Sequence, residues 1–89
     1  MYKVIYSENS IKDLKRIDKS IAQRIVKKIA FFSSQKDIFA FSKPLIGLGD
    51  GKFRFRIGDY RAIFKIDKLG KIQILMILNI KHRKEIYLR

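Results

Sequence analysis

Apolar positions recur with helical spacing in the N-terminal part of the chain and with strand spacing after Gly51. Tyr2-Lys-Val-Ile-Tyr6 is short, β-branched and aromatic, and predicts a first strand. Ser7 follows as an N-cap, with Glu8 in the first turn where a negative charge suits the helix dipole. Ile11, Leu14 and Ile17 form one apolar stripe, and Asp18 then opens a second helix whose inward set is Ile21, Ala22, Ile25, Ile29 and Phe32. Two helices joined so directly must fold back as a hairpin over something apolar. Residues 33–51, with their Ser, Gln and Asp, the only proline (Pro44) and three glycines, predict a connecting loop that tucks Leu45 and Ile46 under the core. Lys52-Phe-Arg-Phe-Arg-Ile57 alternates without a break, Gly58-Asp59 matches a two-residue II′ turn, and Tyr60–Ile66 returns as the next strand. After a turn at Asp67–Gly70, the largely apolar run Ile72–Ile80 predicts a central strand with helices over one side. The fold class expected is α+β: an N-terminal strand and a helical hairpin packed on a small antiparallel sheet, with residues 1–89 as one domain.

Composition narrows the chemistry. With 47% hydrophobic and 33% charged residues in 89, a small packed core is expected and disorder is not. Cysteine is missing and His82 is the sole histidine, so thiolate or multi-histidine metal sites are not expected, and no metal or other cofactor is called for. No stretch approaches the ~20 apolar residues of a membrane span, and the N-terminus lacks a signal-peptide layout. The expectation is a soluble, cytoplasmic protein without a membrane partner.

Charge changes the picture most. Lysine and arginine number 21 against 8 acids, a net +13 spread over both halves: +5 through Asp50 and +8 beyond it. Such charge on a folding domain costs stability through self-repulsion and points to a polyanionic partner, RNA or DNA first and an acidic protein second. With Gly58-Asp59 as the turn, Arg56 lies opposite Arg61, and Lys52, Arg54, Arg56 and Arg61 share one face, while Phe53, Phe55, Ile57, Ala62 and Phe64 share the other. Like charges directly opposite are unfavourable in a sheet unless an anion sits between them. A three-residue loop closed by Gly70 would place Ile77, Asn79, Lys81 and Arg83 on the same basic face, Ile77 opposite Arg61, with His82 pointing away. His82 then reads as structural, and Tyr87 as either an apolar plug or a ring for base stacking.

The strand–helix–helix–sheet order, the Lys52-x-Arg-x-Arg-x-Gly-Asp-Tyr-Arg61 run and the closing His82-Arg-Lys-Glu-Ile-Tyr87 resemble the RelE-type toxins of the RelE/ParE superfamily. The resemblance spans the chain and implies a RelE-like fold and the toxin of a type II toxin–antitoxin pair. Such toxins enter the A site of the 70S ribosome and cleave the mRNA there without a metal, and a cognate antitoxin inhibits them. Carried over by position, Lys52, Arg61, Arg83 and Tyr87 become candidate catalytic residues, and Arg54, Arg56, Lys81 and Lys84 candidate RNA-binding residues. Position 54 is arginine where some members have lysine. Arginine stays protonated, so Lys52, crowded by other cations, is the preferred base. Tyr87, His82 and Arg83 remain open as the acid. The rival implied by the same superfamily is a ParE-like poison of DNA gyrase without ribonuclease chemistry; a plain RNA-binding domain is a third reading.

Overall fold

A computed structural model describes residues 2–45 and 51–86. The elements are β1 (Lys3–Tyr6), α1 (Glu8–Lys15), α2 (Lys19–Ser33), a 3₁₀ turn (Ile38–Phe41), β2 (Ser42–Pro44), β3 (Lys52–Ile57), β4 (Tyr60–Leu69), β5 (Ile72–His82) and α3 (Arg83–Ile86). One sheet runs in the order β1-β5-β4-β3-β2. It is mixed rather than wholly antiparallel, because β1 pairs in parallel with β5, Lys3 opposite Ile74 through Tyr6 opposite Ile77. A parallel pair needs a long crossover, and here the helices and the rest of the sheet supply it.

The helix starts obey the expected chemistry to different degrees. Ser7 caps α1, its Oγ accepting the Ser10 N–H at 3.0 Å. Asp18 precedes α2 without a side-chain capping bond; its carboxylate instead accepts the Ser20 hydroxyl at 2.6 Å, which holds the carboxyl below its ordinary range. The inward stripe of α2 holds at Ile25, Ile29 and Phe32, buried against Phe55, Phe64, Leu75 and Ile77, but not at Ala22, which lines a groove along α1 and α2 outside that core. Ile21 packs at the margin of that core, as do Leu14 and Ile17 of the α1 stripe. Ile11, by contrast, stays exposed.

Beyond Tyr6, α1 replaces a strand along the edge of β5. The Ser7 N–H donates to the Ile77 carbonyl at 2.9 Å, Ser7 Oγ donates to the Leu78 carbonyl at 2.7 Å, and Asp13 Oδ2 accepts the Ile80 N–H at 2.9 Å. An edge that would otherwise expose main-chain groups is closed by side chains.

Residues 33–51 are not only loop. Asp37 caps the 3₁₀ turn by accepting the Phe39 N–H at 3.0 Å, and β2 adds an edge strand beside β3. Leu45 is buried as expected, while Ile46 lies outside the described residues. The β3–β4 hairpin has the expected register, Ile57 opposite Tyr60 and Arg56 opposite Arg61. Gly58 takes φ +59° and Asp59 stays at negative φ, the II′ combination. The second turn differs from expectation: Leu69 pairs with Ile72, so the loop is Gly70-Lys71, two residues and not three. That shorter turn sets Phe64 opposite Ile77, and Ile77 is buried in the core rather than on the basic face. A bulge at Leu78 then restores the parity, with Ile63 opposite Asn79 and Arg61 opposite Lys81. No helix among the described residues is long and apolar enough to cross a membrane.

Candidate nucleic-acid interface

On the sheet face away from the helices, successive cross-strand rows carry cations. One row runs Lys43–Arg54–Ile63–Asn79 over β2 to β5; the next runs Arg56–Arg61–Lys81. Side chains directly opposite stand with Cβ atoms ~4.5–5.5 Å apart. The rows open into a groove of about 360 Å³ between the 3₁₀ turn with β2 on one side and β3 with β4 on the other. Phe41, Ser42, Lys43, Arg54, Arg56 and Arg61 border it, and its described lining contains no carboxylate.

The cations are held to different degrees. Arg56 is exposed, and Arg54 is half-buried with Nη1 donating to the Pro44 carbonyl at 3.3 Å. Arg61 is not the solvent-facing residue that alternation predicts; it is only 4% exposed. Its Nη1 donates to the Gly58 and Tyr60 carbonyls, both at 2.9 Å, which anchors the guanidinium to the turn its own strand leaves. A guanidinium fixed this way loses little freedom on meeting a phosphate oxygen.

The family model described as the ParE toxin of the type II toxin–antitoxin system parDE matches residues 4–87. The chain belongs to this toxin family. No curated protein matches it. Among solved structures, the toxin is similar to the RelBE2 toxin–antitoxin complex of Mycobacterium tuberculosis at 28% identity and a TM-score of 0.75, over 92% of this chain and 98% of that one. It is also similar to the archaeal RelE–RelB complex of Pyrococcus horikoshii, at 27% identity, a TM-score of 0.69, and 92% and 94% coverage of the two chains. The RelB–RelE complex of Methanococcus jannaschii matches at 25% identity with a TM-score of 0.64, over 93% and 94%. The toxin is thus of the RelE type within the RelE/ParE superfamily.

The structure gathers Arg54, Arg56 and Arg61 at the groove and leaves other candidates elsewhere. Lys52 is exposed on the same face, opposite Lys65, two residues along β3 from Arg54 and outside the described groove lining. Lys81 stands opposite Arg61, but its ammonium lies 4.0 Å from Asp13 Oδ1. Arg83 is not on a strand; it starts α3, where its N–H donates to the Asp59 carbonyl at 2.7 Å and its Nε lies 3.6 Å from Asp59 Oδ1. Lys84 is exposed on the same short helix, and Tyr87 lies outside the described residues. His82 points away from the basic face, as parity requires, and caps α3: Nδ1 accepts the Lys84 N–H at 3.1 Å while Glu85 Oε1 accepts the His82 N–H at 3.0 Å. Its ring meets Tyr60 edge-on at 5.2 Å.

Sequence reasoning missed Lys43 and Phe41. The signal was present in the period-two pattern Phe39, Phe41, Lys43 leading into Pro44, because proline is tolerated on an edge strand.

Proposed function

We propose that the toxin is a ribosome-dependent mRNA endoribonuclease. The observation that carries this reading is the convergence of Lys43, Arg54, Arg56 and Arg61, from three strands, on one groove whose described lining holds no acid. RNA supplies its own nucleophile. Its 2′-hydroxyl attacks the adjacent phosphorus, the bond to the 5′-oxygen of the next nucleotide breaks, and a 2′,3′-cyclic phosphate and a 5′-hydroxyl result. The protein must take the 2′ proton, return one to the leaving oxygen, and stabilise charge on the phosphate between those events. Arg54 and Arg56 suit bidentate contacts to the phosphate oxygens, and Arg61 suits a fixed donor because its guanidinium is already positioned. Lys52 is the proposed base and Tyr87 a candidate acid. Arg83 joins the site by exchanging an exposed pair with Asp59, worth little in water, for a phosphate.

A groove so poor in acid–base groups needs its substrate ordered for it, which is the role assigned to the ribosome. The test is primer extension on a message translated in a cell-free extract with purified toxin. Cleavage within codons that requires ribosomes supports the reading; intact message and unimpaired translation, with gyrase inhibited instead, supports the ParE-like rival that the matched family's name favours.

The same proposal includes a cognate antitoxin, since the similar RelE structures are complexes with RelB. A second groove, about 720 Å³, lies along α1 and α2, apolar at Leu14, Ile17, Ala22 and Val26 and edged by Lys15, Lys19 and Lys27. An acidic amphipathic helix complements it in shape and charge. Complementary charge acts mainly on encounter, so the association rate should fall steeply with salt while dissociation changes little. Stopped-flow mixing across a salt series checks this, and a salt-independent association rate would refute it.

A further inference from the structure

The groove has an aromatic wall as well as cations, and the cationic chemistry above makes no use of it. Phe41 closes the 3₁₀ turn, borders the groove beside Lys43 and Arg54, and is 39% exposed, unusual for a ring so well supported. It stacks on Phe32 with centroids 5.3 Å apart and planes 25° from parallel. Phe32 packs on Phe55 at 4.8 Å, and Phe55 stacks on Phe64 at 4.2 Å and 19°. Four rings therefore form one ladder from the centre of the sheet to the rim of the groove. Phe31 sets its ring against Phe41 at 6.1 Å and 74°, which fixes it from a second direction. Held by Phe32 and Phe31, Phe41 still keeps more than a third of its surface exposed beside the cations of the groove. Ordering a mobile ring is a cost of stacking, and here that cost is met in the fold.

We propose that Phe41 is a nucleobase-stacking platform: a nucleotide whose phosphate is held by Arg54 and Arg56 lays its base on the open side of this ring and extends the ladder by one step. The proposal rests on the reading of the groove as an RNA site. Stacking is tolerant of base identity because every base presents a π-face, so the platform adds affinity and orientation without selecting a codon. Phe39 is more exposed than Phe41 but packs on Phe53 at 4.9 Å and is not among the described groove residues, so it serves as the internal control.

The chain contains no tryptophan, so Phe41→Trp introduces a single indole at the proposed platform. Titration with a short 2′-O-methyl oligoribonucleotide, which cannot be cleaved by its own 2′-oxygen, should quench that indole. An abasic ribose–phosphate chain of the same length should bind through the cations and leave the emission unchanged. Equal quenching by both, or by neither, overturns the platform. In parallel, Phe41→Leu should weaken oligoribonucleotide binding by about 5- to 150-fold, the range for losing one base–aromatic stack, while Phe39→Leu retains wild-type affinity. Circular dichroism on both leucine variants separates lost stacking from lost fold, and the tryptophan variant keeps a ring on the ladder should Phe41→Leu unfold. Wild-type toxin that fails to cut a translated message overturns the endoribonuclease reading but not a base-dependent quench. Wild-type toxin that cuts while Phe41→Trp shows no base-dependent quench overturns the platform alone.

Discussion

The seam between α1 and β5 and the groove across β2, β3 and β4 both bring charged side chains to the sheet, and they use charge in opposite ways. At the seam each polar group is matched within the fold: Ser7 with the Ile77 and Leu78 carbonyls, Asp13 with the Ile80 N–H and the Lys81 ammonium. At the groove, cations from three strands stand side by side, and among the described residues Arg54 donates to the Pro44 carbonyl and Arg61 to the Gly58 and Tyr60 carbonyls. The seam's charges are matched with groups at the sheet edge, whereas under the function proposed above the groove's cations serve a partner from outside the fold.

That contrast can be broken by substitution. Arg61→Ala should have the largest effect, because Arg61 belongs to both categories. Cleavage of a translated message should fall ~10²–10³-fold, as for loss of one fixed donor, and stability should fall by ~1–3 kcal/mol as two part-buried, charge-assisted hydrogen bonds to main-chain carbonyls are lost. Full activity in a folded variant would remove Arg61 from the site. Asp13→Ala comes next and should act on stability alone, at ~1–3 kcal/mol by urea denaturation, with Asp13→Asn recovering most of it through the retained acceptor for the Ile80 N–H. Reduced cleavage at unchanged stability would show that the seam is not purely structural. His82→Ala should cost ~1 kcal/mol through the lost cap of α3 and leave cleavage intact; a folded but dead variant would make His82 the acid. Arg56→Ala should be the mildest, with stability within ~0.5 kcal/mol and the log–log salt slope of RNA binding reduced by ~0.7. A measurable drop in melting temperature would mean that Arg56 also contributes to the fold.

How far these regions were legible in the sequence follows from how local their causes are. The β3–β4 register was readable because an unbroken alternation and a Gly-first two-residue turn sit next to each other, and both act over a few residues. The bulge at Leu78 was not. The run Ile72–Ile80 is apolar on both faces and gives no alternation to fix a register, and the contact holding Leu78 comes from Ser7, 71 residues away. Two unread features cancelled in parity only: the turn is one residue shorter and lies further along the chain than expected, and the bulge shifts the register again. Asn79, Lys81 and His82 therefore keep their predicted faces, while Ile77 does not and Arg61 meets Lys81 in its place. Arg61 was placed on the correct face with the wrong exposure. Alternation gives direction, but burial depends on the long neighbours Arg56 and Lys81 on either side of the middle strand. The short edge strand Ser42–Pro44 was hidden by its proline, and the parallel pairing of β1 by the distance between its partners.

That distance has a consequence during synthesis. β1 is made well before its partner Ile74–Ile77, so this strand waits with its hydrogen-bonding edge bare while both long helices and three other strands are translated. The same late segment brings Leu75 and Ile77, which complete the floor beneath α2. A nascent chain interrupted before β5 has the cations of β3 and β4 but no second neighbour for β4 and only part of the floor beneath α2. Closure of the sheet thus waits for β5, the one strand that touches both β1 and β4.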